Sequence, residues 1–310
     1  MTSERFDVLI VGAGPAGSFA AERLARKGVR VALFDGRPAD EPKACGGGVT
    51  SKALKAWPHL LEAVGRTVSE IELYSPAGKC LHLKLNEPFA IYSRTAFDSY
   101  LRDRAGESGA HIIKERVSFR ERASENGEWT LRGSNGATWS APMLVAADGA
   151  NSPIAKRLAG ALPPSEMEVA FGYRTPLPKT KDAPTVVAFL PGWAGYAWAF
   201  PRVDHISFGI ATSQDAFDHH ALDQLLWKFM IGYYRQREDR KANLWRTRKA
   251  QDEERDAQIR RELEATAEAY AARIPGLAVK TWDTRRAAGQ GWALLGDAAG
   301  FADPGKHRAP

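Results

Sequence analysis

Short, β-branched apolar runs alternate along this chain with stretches in which apolar residues recur every three or four positions. Phe6-Asp7-Val8-Leu9-Ile10-Val11 is apolar with little alternation, as a strand covered on both faces must be. Gly12 to Gly17 breaks that run. Ser18 to Lys27 then carries apolar positions at Phe19, Ala20 and Leu24, which predicts a helix closed by Gly28. Arg30 to Phe34 predicts a second buried strand, so strand, glycine turn, helix and strand make one βαβ unit.

After Thr50 the pattern is mixed. Ser51 to Val64 predicts a helix interrupted at Pro58, which has no amide for the ladder. Glu70 to Tyr74 and Cys80 to Leu85 predict strands, Arg94 to Arg104 a helix, and His111 to Lys114 a strand. Hairpin signals follow at Asn126-Gly127 and Asn135-Gly136. Met143 to Ala147 predicts a buried strand ending in Asp148-Gly149, and Glu168 to Ala211 several antiparallel strands rich in aromatics. No glycine or proline lies between Gly232 and Pro275, which predicts two helices there. Trp292 to Leu295 predicts a last buried strand, followed by Gly296-Asp297. The chain has no internal repeat and no low-complexity segment.

A length of 310 residues suits one large or two modest domains and a core that needs neither disulfides nor metal. The net charge of +6 is spread along the chain, too thin to argue for nucleic acid. Two cysteines, Cys45 and Cys80, exclude a disulfide scaffold and a multi-cysteine zinc site, and suit a reducing compartment. The longest uncharged stretch, Ala183 to Pro201, carries Pro184, Pro191, Gly192 and Gly195, so it does not predict a membrane span. Glu4, Arg5 and Asp7 precede too few apolar residues for a signal peptide. The expectation is a cytoplasmic protein, either free or peripheral on the cytoplasmic face of a membrane. His219-His220 has no partner at metal-ligand spacing and reads as surface, with no metal site. Residues 235–262 hold ten Lys or Arg against seven Asp or Glu, a solvated helix face or one resting on anionic lipid.

The strongest chemical signal is Gly12-Ala13-Gly14-Pro15-Ala16-Gly17, directly after a strand and opening a helix. Gly12 permits the tight turn, Gly14 lets backbone approach a pyrophosphate, and Gly17 lets helix and strand pack closely. The helix end offers free amides and positive dipole to phosphates. Asp35, at the end of the second strand, stands where an acid holds the adenosine ribose. No second glycine fingerprint appears, which favours one tightly held dinucleotide. Asp148-Gly149 and Gly296-Asp297 each follow a buried strand, where Asp and Gly are also ordinary turn residues. In Cys45-Gly46-Gly47-Gly48, successive glycines let backbone pass against a flat ring; Cys45 is either a proton donor or a small packed thiol. Tyr196, Trp198 and Phe200 share one strand face, with Phe189 and Trp193 nearby. They form either a core face or an apolar channel, in which each buried methylene of a long substrate is worth about 0.8 kcal/mol.

Four elements in this order resemble flavin-dependent oxidoreductases with the fold of the aromatic-ring hydroxylases, most closely the geranylgeranyl reductase family. They are Gly12 to Gly17 with Asp35, Cys45 to Gly48, Gly195-Tyr196-Ala197-Trp198-Ala199-Phe200-Pro201, and Gly296-Asp297-Ala298-Ala299-Gly300 leading to Asp303-Pro304. The resemblance implies an α/β, Rossmann-like FAD-binding domain of discontinuous segments (residues 1–67, 92–166 and 284–310). An antiparallel-sheet α+β substrate domain (residues 68–91 and 167–283) is inserted into it. By the same resemblance Gly12, Gly14, Ala16, Gly17 and the backbone of Val117 touch the nucleotide, and Asp35 holds its ribose. Cys45, Gly46 and Gly48 line the flavin, Arg94 sits on the cofactor, and Asp148, Gly149, Gly296 and Asp297 complete the site, Asp297 at the ribityl chain. Cys45 is the implied catalytic residue, and Tyr196, Trp198 and Phe200 the implied substrate wall. The implied activity is reduction of C=C bonds in a polyprenyl (geranylgeranyl) diphosphate or isoprenoid lipid, with NADPH or reduced ferredoxin as electron donor. An aromatic monooxygenase or halogenase shares the fingerprint and both Asp-Gly pairs, but Cys45 with three glycines favours the reductase. A helix facing the flavin is implied after Asp303-Pro304, and residues 305–310 do not carry its pattern. The expectation there is a shortened C-terminus, with weakened FAD binding or a non-catalytic flavin- or lipid-binding remnant.

Overall fold

In a computed structural model, which describes residues 3–38, 43–120, 127–178, 183–213, 218–238, 243–245, 250–277 and 279–301, the first apolar run becomes the strand Val8–Val11. Helix Pro15–Ala25 follows, beginning three residues before the predicted start because Pro15 occupies its first turn, where φ is pre-set and no amide is lost. The strand Val31–Phe34 closes the βαβ unit.

The chain divides into two compact units, Met1–Pro42 with Thr95–Met167 and Arg273–Pro310, and Lys43–Arg94 with Glu168–Ala272. Gly48–Val49 goes with the second because it pairs with Ala90 and Ile91. In the first unit a six-stranded sheet runs in the order Ala288–Gly289, Trp292–Leu294, Met143–Ala146, Val8–Val11, Val31–Phe34, His111–Ile113. All its pairings are parallel except that of Ala288–Gly289 with Trp292–Leu294. Leu9, Ile10, Leu33 and Leu144 are fully buried in it, which explains the unbroken apolar runs. A second sheet contains Ser3–Arg5, Thr138–Ala141, Trp129–Gly133 and Val117–Arg120, with an antiparallel hairpin turning at Asn135-Gly136. The turn of the other predicted hairpin falls on residues 121–126, outside the described residues. Residues 302–310, on which the expectation of a shortened C-terminus rests, are also outside them.

The second unit is built on an eight-stranded sheet in the order Glu268–Pro275, Met167–Pro176, His205–Ser213, Gly195–Pro201, Thr185–Phe189, Gly65–Tyr74, Cys80–Tyr92, Gly48–Val49. It is not wholly antiparallel, because Thr185–Phe189 runs parallel to Gly65–Tyr74. Helix His219–Glu238 packs Leu222, Leu226, Phe229, Met230 and Tyr233 against Ala197, Ala199, Ile206, Phe208 and Ile210 on one face. The stretch predicted as two helices does hold two, the end of His219–Glu238 and the helix Ala250–Glu264, but it closes as the strand Glu268–Pro275. Absence of glycine and proline permits either element. The alternation of half-buried Tyr270, Ala272 and Ile274 with exposed Ala271 and Arg273 is a strand's period.

Candidate functional site

Four turns project from the carboxyl ends of four adjacent parallel strands in the first unit. Gly12 N donates to Phe34 O at 3.0 Å, Ala147 N to Val11 O at 2.8 Å, Leu295 N to Ala146 O at 2.8 Å, and Asp35 N to Ile113 O at 2.9 Å. The chain passes from Val8–Val11 to Val31–Phe34 on one side while Met143–Ala146 lies on the other. That is a topological switch point, where open α/β sheets bind ligands.

Gly12 takes φ +105°, and a Cβ there would lie 2.3 Å from Ala147 O. A Cβ on Gly17 would fall 1.9 Å from Gly12 O, so these two glycines are dictated by internal packing. Gly14 differs, since a Cβ there would meet nothing within 4 Å. Gly14 is also the N-cap of helix Pro15–Ala25 and makes no side-chain cap, so the amides of Ala16 and Gly17, in the helix's first turn, have no intrahelical acceptor. Ala16 Cβ lies 3.0 Å from the Cβ position of Gly296, which brings the first and last turns together. Asp148 Oδ1 is buried without a hydrogen-bond partner, and burial pushes its carboxyl above the usual range against the Ser152 hydrogen bond. An open glycine edge, free helix-end amides and an unpaired buried acceptor fit a dinucleotide with hydroxyl groups and a bridging diphosphate.

Asp35 is 4% exposed, and its Oδ2 is held by Lys114 Nζ at 2.7 Å and Arg102 at 3.3 Å. Val117 opens a strand of the four-stranded sheet and packs against the core that also holds Phe34 and Trp139.

In the second unit the alternation of residues 196–200 separates two faces. Ala197 and Ala199 lie under helix His219–Glu238, whereas Tyr196, Trp198 and Phe200 occupy the opposite face. Their rings follow one another at 5.9 and 6.4 Å between centroids. Phe189, paired across the sheet with Tyr196, extends the strip, while Trp193 belongs to the helix-covered core. Small residues make room for the rings. A Cβ on Gly209 would lie 2.1 Å from Trp198 Cζ2, and one on Gly172 2.8 Å from Tyr270 Cζ. The cysteine turn is packed on this strip. A Cβ on Gly46 would lie 3.2 Å from Trp198 Nε1, and one on Gly48 2.7 Å from Phe89 Cζ and 3.1 Å from Phe200 Cε2. Within this unit, then, the flat rings that require these glycines are the protein's own. Cys45 is half-buried, and its Sγ accepts from Gly47 N at 3.4 Å.

The structure thus brings Gly12, Gly14, Ala16, Gly17, Asp148, Gly149, Gly296 and Asp297 together at one sheet edge with Asp35 at the next strand end. In the other unit it brings together Cys45, Gly46, Gly48, Trp198 and Phe200. Arg94 opens helix Arg94–Glu107 as the last residue of the Lys43–Arg94 segment, and so belongs to the second unit. Three residues were not legible as site components. Lys114 and Arg102 reach Asp35 from 79 and 67 positions away with no motif to announce them. Arg202 follows Pro201 directly, and a charge just past an aromatic strand was its one signal; its guanidinium donates to Cys45 O at 2.5 Å.

Comparison with known proteins agrees with this architecture. The chain is 31% identical over 233 residues to a chloroplastic geranylgeranyl diphosphate reductase of Oryza sativa subsp. japonica, covering 68% of this chain and 50% of that one. It is 30% identical over 247 residues to a digeranylgeranylglycerophospholipid reductase of Methanosphaerula palustris, covering 71% and 59%. The chain spans about half the length of the plant relatives it matches. A geranylgeranyl bacteriochlorophyll reductase-like protein of Thermoplasma acidophilum superposes with a TM-score of 0.75 at 23% identity, over 98% of this chain and 73% of that one. The FAD binding domain family matches residues 5–299, nearly every strand and turn described above, and the chain belongs to that family.

Proposed function

We propose that this chain binds FAD at the carboxyl edge of its parallel sheet and reduces isolated C=C bonds of a prenyl chain, in a polyprenyl diphosphate or an isoprenoid lipid. The observation that carries the reading is the aromatic strip of Phe189, Tyr196, Trp198 and Phe200, which stands off the helix-covered core and carries a thiol turn on its surface. Such a surface suits a long substrate with few polar groups, because area removed from water supplies the affinity. The names of the rice and archaeal relatives support the substrate class.

The open edge at Gly14 and the amides of Ala16 and Gly17 receive the diphosphate of FAD, and Asp35 accepts the ribose hydroxyls while Lys114 and Arg102 hold its carboxylate. Asp148 and Asp297 take polar groups nearer the ring system. When bound and reduced, FAD supplies the hydride; NADPH or reduced ferredoxin supplies the electrons. The strip aligns the double bond and excludes water. Cys45 Sγ holds the proton that the second carbon takes up, so that each bond gains one hydride and one proton. No helix among the described residues is long and apolar enough to cross a membrane, and we assign any lipid encounter to peripheral contact.

The test is anaerobic turnover of the FAD-loaded chain with geranylgeranyl diphosphate and either donor, read by mass spectrometry. The expected product gains two hydrogens per bond reduced. A product that appears only with oxygen and carries a new hydroxyl would sink this reading in favour of a monooxygenase.

A further inference from the structure

Arg202 is 4% exposed, and its guanidinium is built into the cysteine turn. Besides the 2.5 Å bond to Cys45 O, it fills the space beside Gly47: a Cβ there would lie 3.0 Å from its terminal nitrogen and 2.3 Å from Tyr92 O. Gly47 takes φ +82°, its carbonyl accepts from Tyr92 N at 2.9 Å, and its amide donates to Cys45 Sγ. Arg202 is itself fixed through its main-chain amide, which donates to His205 O at 2.7 Å.

The charge on this side chain needs an explanation. No carboxylate forms an ion pair with Arg202 among the described residues, and its Nε is buried without a hydrogen-bond partner. The charged and polar groups around it are Arg174, Tyr270, Asp204 and Cys45. Burial draws its pKa below the ordinary arginine value, yet a guanidinium stays charged at neutral pH. Burying a cation without a counter-ion is costly, and an apolar side chain of the same length would fill the space without that cost.

We propose that Arg202 is the positioning residue of Cys45: it clamps the turn by the Cys45 carbonyl and sets a fixed positive charge beside the thiol. The proposal deepens the reading of Cys45 as a proton carrier and rests on it, but its test needs no turnover.

The experiment measures modification of Cys45 in the full chain by neutral iodoacetamide and by anionic iodoacetate, with Cys80 followed separately by peptide mass spectrometry. Both reagents attack the same sulfur, so the ratio of their rates removes exposure and ionisation and leaves the local field. Arg202→Met should lower the iodoacetate-to-iodoacetamide ratio at Cys45 by about three- to fivefold and leave Cys80 unchanged. Arg202→Lys should keep the ratio while altering the absolute rate, because a single ammonium cannot reproduce the clamp. An unchanged ratio in Arg202→Met, or an equal fall at both cysteines, overturns the proposal. Should that variant fail to fold, Arg202→Gln decides, since it keeps a donor for Cys45 O without the charge; a parental ratio there overturns the proposal equally. A chain that passes this test yet leaves a prenyl substrate untouched under anaerobic conditions keeps the Arg202 assignment and loses the reductase reading.

Discussion

The glycine turn at residues 12–17 and the glycine turn at residues 46–48 use the same residue for opposite ends. In the first, two glycines are consumed by packing against backbone and the third, Gly14, keeps a space open at a helix end. In the second, every missing Cβ is replaced by a side chain or carbonyl of the same unit: Trp198 and Phe200 at Gly46, Tyr92 and Arg202 at Gly47, Phe89 and Phe200 at Gly48. A glycine-rich segment is therefore not by itself a ligand cradle. What matters is whether the position of the absent Cβ is empty or occupied.

That contrast breaks most visibly at Gly17. Gly17→Ala places a methyl 1.9 Å from Gly12 O, and we expect a loss of more than about 4 kcal/mol, seen as failure to give a cooperative thermal transition. Gly14→Val should do the reverse, leaving the melting temperature within a few degrees while weakening FAD about a hundredfold, ~2.7 kcal/mol, in a fluorescence titration. If Gly14→Val purifies with full flavin, the open edge is not the diphosphate site. In the second turn Gly47→Ala meets both a left-handed φ and the Tyr92 carbonyl, and should cost about 2–3 kcal/mol in denaturant unfolding.

Smaller effects sharpen the aromatic strip. Tyr196 is 43% exposed, so Tyr196→Ala should spare the fold, unlike truncation of buried Trp198. It should raise KM for a long prenyl diphosphate about threefold more than for a short one, because the apolar area left uncovered grows with the length of the prenyl chain. Equal changes for both lengths would argue against a substrate wall. The smallest expected effect is a pH dependence at His205. Burial and the Arg202 charge hold its imidazole below the usual value against the pull of Asp204, with Arg174 adding to the repulsion. The folded state thus disfavours protonation, so stability is fully present above the unfolded value near pH 6.5 and declines as pH falls below it. Melting curves between pH 7.5 and 5 should show a loss of less than about 1 kcal/mol that His205→Gln removes.

Much of the sheet-edge site was legible because its signals are local. A short apolar run, a glycine turn and an acid at the next strand end are contiguous in the chain, and the Asp-Gly pairs mark the ends of runs equally short. What was not legible depends on residues far apart or on parity. The cations on Asp35 arrive from helix Arg94–Glu107 and from the residue that follows strand His111–Ile113, and no spacing rule connects them. Trp193 and Tyr196 look like members of one aromatic cluster, but the turn at residues 191–194 resets the alternation and sends Trp193 into the helix-covered core. Residues 268–274 lack both glycine and proline, and a decisive period, until Tyr270, Ala272 and Ile274 are seen to share a face. Nothing near the cysteine turn in sequence announces that Trp198, about 150 positions on, packs against Gly46.

The strand order of the parallel sheet also has a consequence for how the molecule is made. Val8–Val11 pairs with Met143–Ala146, which in turn pairs with Trp292–Leu294, so the turns at Gly12 and at Gly296-Asp297 come together although 285 positions separate Gly12 from Asp297. At ribosomal speeds of about 5–20 residues per second, roughly a quarter of a minute to a minute separates the emergence of the two. Long-range parallel pairing is slow to form in any case, since loop closure precedes the contacts that reward it. The Gly12 turn therefore waits through the synthesis of those residues, and the sheet-edge site is complete only when the strand at Trp292 joins Met143–Ala146 in a sheet begun at Val8.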